Sequence, residues 1–175
     1  MKFVSTRGAS PGVGYSQAMR TGLAPDGGLY VPAAFPHIDL SEMEGLQTPA
    51  TIGARLLRPF FQGDRLETDL EAICEAALTF PIPLNPLGRD TAVLELFHGP
   101  TAAFKDVGAR FLAECIRHLQ RPSPHSCPPT YLPTCPPTRE MTEMETVLVA
   151  TSGDTGGAVA GAFFGKPGIQ VLILF

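Results

Sequence analysis

The chain has 175 residues, 44% of them hydrophobic and 17% charged, and a formal net charge of −4. That length suits one ordinary domain, or a small domain with part of another, and that apolar share can sustain a packed core. The acid excess excludes a general nucleic-acid binder, no apolar run approaches the roughly 20 residues of a bilayer span, and the opening MKFVSTRGAS lacks the apolar core of a secretion signal.

Residues 1–36 read as turns and short strands. Within GLAPDGGLYVP a proline–aspartate–glycine turn precedes the strand signal LYV. Residues 50–62 (ATIGARLLRPFFQ) and 67–80 (ETDLEAICEAALTF) are expected helices. In the second, Leu70, Ile73, Ala77 and Phe80 recur at helical spacing, and Asp69 and Glu71 suit its first turn. PIPLNPLGRD reads as a proline-rich connector. Residues 1–85 therefore form a small mixed α/β region without evident chemistry, and 86–175 a different one.

From Thr91, AVLELF is a strand candidate, HGPTAAF a loop and KDVGARFLAECIRHL a helix, with Val107, Phe111, Cys115 and Leu119 on one stripe. Residues 121–146 hold seven of the eighteen prolines and are expected to be an extended excursion. TVLVA, TSGDTGG, AVAGAFFG, KPG and IQVLILF then spell strand, glycine loop, helix, turn and strand. That is a βαβ unit whose doubly apolar strands imply a parallel sheet. The end at Phe175, inside the last strand, reads as truncation.

The cysteines are Cys74, Cys115, Cys127 and Cys135. None forms a CxxC pair, so no metal site is expected. Cys74 and Cys115 read as buried apolar residues, a Cys127–Cys135 bridge is weakly suggested, and a reducing cytoplasmic setting is the default.

Two loops carry chemistry. Each follows a strand and precedes a helix, the position where ligands gather in a parallel α/β sheet. Lys105 ends the first, where a cation opposes the helix dipole. Either it is an ordinary solvated lysine, or burial and the dipole disfavour its ammonium so that the amine can form a Schiff base or act as a base. Gly99, Ala102 and Ala103 leave room for a planar ring, and Phe104 is placed to wall it. In the second loop, Thr151–Gly157, Ser152, Thr155 and free backbone N–H groups can hold an oxyanion. It is neither a Walker A nor a GxGxxG loop. The plainer alternative is a helix capped by Ser152, Asp154 or Thr155, and Asp154 would repel a bare phosphate. His98 reads as a ligand contact or a turn support, Arg7 as an anion contact or a surface charge, and Glu140, Glu143 and Glu145 as a solvated face.

FHGPTAAFKDVGARFLA followed by VLVATSGDTGGAVAGAF resembles threonine synthase, a pyridoxal 5'-phosphate (PLP) enzyme of the tryptophan-synthase-β-like fold, fold type II. FVSTRG, GLAPDGGLYVP, FPIPL and LELFHGPT extend the likeness over nearly the whole chain apart from about 121–146. The resemblance implies an α/β PLP fold with a small N-terminal region at 1–85, and a partial PLP-binding domain at 86–175 interrupted by an insertion. It makes Lys105 the Schiff-base lysine and sets Ser152, Gly153, Asp154 and Thr155 beside the cofactor ring and substrate carboxylate. It implies conversion of O-phospho-L-homoserine and water to L-threonine and phosphate, with no nucleic-acid or membrane partner. Family members run to roughly two or three times this length, and their cofactor-phosphate loop falls after the point where this sequence ends, so turnover by these residues alone is expected to be small. Two other readings stand beside this one: a non-catalytic remnant that associates through an exposed sheet edge, and a related PLP enzyme such as threonine dehydratase, in which asparagine is expected where Asp154 stands.

Overall fold

The computed structural model describes residues 1–121, 144–151 and 153–174. The expectations placed on 122–143, including Cys127, Cys135, Glu140 and Glu143, and those placed on Ser152 and Phe175 lie outside the described residues. Two compact units divide the chain: Met1–Thr79 with Glu114–Leu119, and Phe80–Ala113 with the described residues of Gln120–Phe175.

In the first unit, β1 (Phe3–Ser5) pairs antiparallel with β2 (Tyr30–Pro32), Val4 opposite Val31. The turn expected at APDG forms, with Gly27 N–H donating to Ala24 O at 2.8 Å and Gly27 at φ 77°, a conformation that suits glycine. Asp26 ties this turn to β1. Its Oδ1 accepts from Ser5 Oγ (2.6 Å) and Gly28 N (2.9 Å), and its Oδ2 accepts from Ala9 N (3.0 Å). Arg7 is engaged in the same knot, donating from Nη1 to Asp26 O at 2.9 Å.

Helix α1 (Tyr15–Thr21) lays Tyr15 against Phe3 and Phe61, with ring centroids 5.6 and 4.1 Å apart. Helix α2 (Pro49–Phe61) starts on a Thr48–Thr51 capping box with proline at its first position, where the missing N–H costs nothing. Helix α3 (Leu70–Ala77) follows a single 3-10 turn over Glu67–Asp69. The periodic stripe is real, since Leu70, Ile73 and Ala77 are buried, but the helix stops at Ala77, short of Phe80. The following residues, with prolines at 81 and 83, cannot continue it. Phe61, Leu66, Leu70 and Ile73 are fully buried, each worth about 1.5–3 kcal/mol of removal from water. α2 lies close to the end of α3: a Cβ on Gly53 would stand 3.1 Å from Leu78 Cδ1.

Helix α4 (Asp106–Leu119) contributes its last residues to this unit. Cys115 is buried there and its sulfur accepts a hydrogen bond from the Tyr15 hydroxyl. His118, also buried, accepts at Nε2 from Arg117 Nη2 (3.0 Å), which leaves Nδ1–H to face Asp69 Oδ2 at 3.2 Å.

In the second unit, the expected strand AVLELF is shorter and paired differently. β3 (Leu84–Pro86) and β4 (Ala92–Leu94) form an exposed antiparallel hairpin, Asn85 opposite Val93. The stretch read as a proline-rich connector supplies one of its strands; Pro86, which cannot donate to a ladder, is tolerated in a strand without a second neighbour. β5 (Glu145–Ala150) and β6 (Ile169–Leu174) pair in parallel over their full length, as the βαβ pattern requires. Between them α5 (Asp154–Phe163) starts four residues earlier than the expected AVAGAFFG and buries Ala158, Val159, Ala162 and Phe163. Along both strands half-buried residues alternate with exposed ones, so one face carries Leu148, Leu172 and Leu174 in the open. Among the described residues no helix is long and apolar enough to cross a membrane.

Two pH dependences follow for the first unit. The Ser5 hydroxyl, then the Gly28 N–H, hold the half-buried Asp26 carboxyl down to about 2 from its ordinary 3.8. A lowered folded value stabilises above the unfolded one, so this contribution is full above pH 3.8 and lost as pH falls through 2. Urea titrations at pH 7 and pH 2.5 should show a smaller acid-induced drop in midpoint for Asp26→Asn than for the parent chain. At the other extreme, burial pushes the Cys115 thiol up to about 12 and the Cys74 thiol up to about 11, both from 9.0, and raises the Tyr15 phenol as well. Raised folded values stabilise below the unfolded ones, so this part is intact below pH 9 and is lost as pH rises toward 11 and 12. Alkaline unfolding followed by circular dichroism should therefore shift to higher pH in Cys115→Val.

Candidate active site

The loop that carries Lys105 is built around Asp106. Asp106 is the first residue of α4 and only 1% exposed. A buried carboxylate needs partners, and it finds them in its own chain: Thr101 donates from N to Oδ2 at 2.9 Å and from Oγ1 to Oδ1 at 2.7 Å. The start of a helix is also where a negative charge is favoured. The loop doubles back so tightly that a Cβ on Gly99 would fall 2.4 Å from Asp106 Oδ2 and 2.7 Å from its Cβ, which only glycine avoids. Ala102 N–H donates to Gly99 O at 3.1 Å, and Ala102 takes φ 55°, the left-handed region. For alanine that conformation costs about 1 kcal/mol.

Lys105 stands immediately before the helix, its carbonyl accepting from Ala109 N at 2.9 Å. The residue is half-buried. Its ammonium lies over the Phe104 ring, 4.5 Å from the centroid, and Phe104 is 61% exposed. Phe104 is thus a partner for the lysine itself, where the sequence reading had it walling a ring. The sequence left a solvated and a buried amine open, and the residue lies between the two, beside an exposed aromatic neighbour. The clash between cation and helix dipole is relieved by Asp106 next door, which supplies the anion that the helix start favours.

The second loop closes differently from its capped-helix reading. Gly153 is the residue before α5, Asp154 and Thr155 lie inside the helix, and among the described residues no side chain caps it. Gly156 and Gly157 donate to Gly153 O at 2.9 and 3.3 Å, and Gly153 N–H reaches Thr151 Oγ1 at 3.4 Å. Asp154 is exposed in the first turn and Thr155 half-buried beside it. Gly156 is set by packing: a Cβ there would stand 2.8 Å from Thr151 Cγ2 and 3.1 Å from Ile173 Cγ2. The two motifs also meet. A Cβ on Gly161 of α5 would stand 3.2 Å from the Thr101 methyl, so the lysine loop lies close on the helix that the glycine loop begins.

Sequence reasoning missed Asp106 and Thr101 as the pair that shapes the lysine loop, and Glu95, itself held by Asn85, as the partner of His98. An aspartate directly after a loop lysine, at a helix start and five residues past a threonine, was the signal available for the first pair. Among the described residues no group of three or more His, Cys, Asp or Glu side chains is placed to hold a metal ion.

Residues 2–78 match the family model described as threonine synthase N terminus. Threonine synthase of Serratia marcescens is 36% identical over 177 aligned residues, covering 100% of this chain and 37% of that protein, and that of Escherichia coli K12 is 35% identical with the same coverages. Among solved structures, PLP-bound threonine synthase from Brucella melitensis superposes with a TM-score of 0.79 at 36% identity, covering 100% of this chain and 35% of that one. Threonine synthase from Escherichia coli gives 0.78 at 34%, and that from yeast 0.77 at 28%. The chain spans about a third of the length of these relatives. In sequence and in its α/β structure, the chain is similar to the N-terminal part of threonine synthases.

Proposed function

We propose that this chain supplies the cofactor-bearing lysine, Lys105, of a PLP-dependent threonine synthase of fold type II, acting on O-phospho-L-homoserine and water to give L-threonine and phosphate. The observation that carries the reading is the Lys105 loop, in which a primary amine follows a tight turn held by Asp106, within a chain that matches threonine synthases from end to end. A relative of similar structure is PLP-bound.

The residues fit the aldehyde end of PLP. Lys105 offers the amine, and Gly99, Ala102 and Ala103 add little bulk around it. Asp154, exposed at the start of α5, disfavours a phosphate dianion there, so the fit does not extend to the phosphate end. When bound, the cofactor supplies an electron sink that makes the substrate's carbon-bound protons removable. Lys105 Nζ would hold the cofactor's aldehyde carbon, and the same amine is the group that would take and return protons beside it. Thr155 offers a hydroxyl suited to a substrate carboxylate, and the resemblance sets Ser152, Gly153 and Asp154 in the same loop beside the cofactor ring. Asp106 and Thr101 keep the amine in place.

The chain's lysines are Lys2, Lys105 and Lys166, which makes the test clean. After incubation with PLP, borohydride reduction and digestion, mass spectrometry should find label concentrated at Lys105. Equal labelling of all three, or none at Lys105, overturns the reading. Gly99→Ala, whose methyl would collide with Asp106, should lower Lys105 labelling by about tenfold while Lys2 stays unchanged, because a displacement of about 1 Å is enough to spoil a reactive geometry.

A further inference from the structure

Asn85, Glu95 and His98 form a hydrogen-bonded chain just ahead of the lysine loop. Asn85 Nδ2 donates to Glu95 Oε1 at 2.7 Å, and His98 Nε2 meets Glu95 Oε2 at 2.6 Å. Each carboxylate oxygen thus has a partner, and the His98 bond followed by the Asn85 bond holds the Glu95 carboxyl below its ordinary value. An ionised carboxylate only accepts, so the imidazole carries its proton on Nε2. The ring is also stacked on Phe97, centroids 4.7 Å apart and 33° from coplanar. Asn85 lies on β3, and Glu95 directly follows β4 with its N–H on Pro83 O at 3.0 Å, so the hairpin fixes the carboxylate. His98 opens the loop whose far end Asp106 holds through Thr101. The turn that presents Lys105 is therefore pinned at both ends.

We propose that Asn85, Glu95 and His98 act as a positioning latch for Lys105: the hairpin carboxylate fixes the His98 ring, and the ring fixes the entry of the lysine loop. The inference deepens the function proposed above and rests on it. A solvent-accessible pair of this kind adds little to global stability. Its effect belongs instead to the geometry of nine residues, His98–Asp106, one of which, Ala102, already sits in a strained conformation. His98 is a positioning residue here, acting through Lys105.

The test compares His98→Ala, which removes the donor, with His98→Gln, whose amide nitrogen reaches about as far as Nε2 and can still donate to Glu95. Two readouts are used: the ratio of borohydride-trapped PLP on Lys105 to that on Lys2 and Lys166, and, without cofactor, hydrogen exchange at the Ala102 and Asp106 amides. In His98→Ala the labelling ratio should fall about fivefold and both amides should exchange about tenfold faster, as a local opening rather than a global one would give. In His98→Gln both should stay within about twofold of the parent. Melting temperature should barely move in either. Undiminished labelling and protection in His98→Ala overturn the latch while leaving Lys105 its role. Equal impairment of His98→Gln and His98→Ala overturns it too, since the hydrogen bond would then not be what matters. If the parent chain itself shows no preference for Lys105, the proposed function falls and the latch with it. Should His98→Ala fail to fold, His98→Asn, one methylene shorter than His98→Gln, decides the same point.

Discussion

A carboxylate taken out of water must be met by donors, and in the second unit that requirement is imposed by Asp106. Its partners are close in sequence, the amide and hydroxyl of Thr101, so the chain between them has to turn sharply. Three features follow from that turn. Position 99 has no space for a Cβ, Ala102 is pushed to positive φ, and Lys105 is left as the last residue before the helix. The oddity of a cation at the positive end of a dipole dissolves once the neighbouring anion is counted. The lysine occupies that place because the aspartate beside it has already satisfied what the helix start requires.

The same economy sets the relation between the two motif loops. Gly161 lets Thr101 come near α5, and Gly156 lets α5 come near the ends of β5 and β6. Thr101 thus serves twice, donating to Asp106 and resting on α5. The chemistry proposed for Lys105 depends on this packing as well as on its amine, which lies over Phe104.

Much of this was legible beforehand, and the misses have physical causes. α2 was expected as a helix, and α3 and α4 were visible as apolar stripes that end in buried residues such as Leu70, Ile73, Cys115 and Leu119. The parallel β5–β6 pair was visible as two apolar runs, the second broken by Gln170, with a helix between. The β3–β4 hairpin was not, because Pro81, Pro83 and Pro86 read as a connector and its six residues are exposed, leaving no buried-face alternation to detect. The early start of α5 was hidden by the glycines in TSGDTGG, which favour a loop until Gly156 is seen to be packed. Asp106 drew no notice because a local pattern shows an acid suited to a helix start, while its burial is a tertiary fact. Lys105 itself was singled out by position, and its family role came from the resemblance alone.

Strands with apolar residues on both faces lack the usual protection against slippage. Where one face is polar, moving a strand by one residue buries the wrong side chains and is penalised at once. In β5 and β6, Val147 and Val149 alternate with Leu148, and Val171 and Ile173 with Leu172 and Leu174, so apart from the exposed Thr146–Gln170 pair a one-step shift would exchange one aliphatic set for another. A steric fit adds to what that polar pair specifies. Gly156 meets Thr151 on one side and Ile173 on the other, a fit that accepts this pair of neighbours in this alignment. A residue without a side chain thereby acts as the key that tells two nearly interchangeable hydrophobic ribbons how to line up.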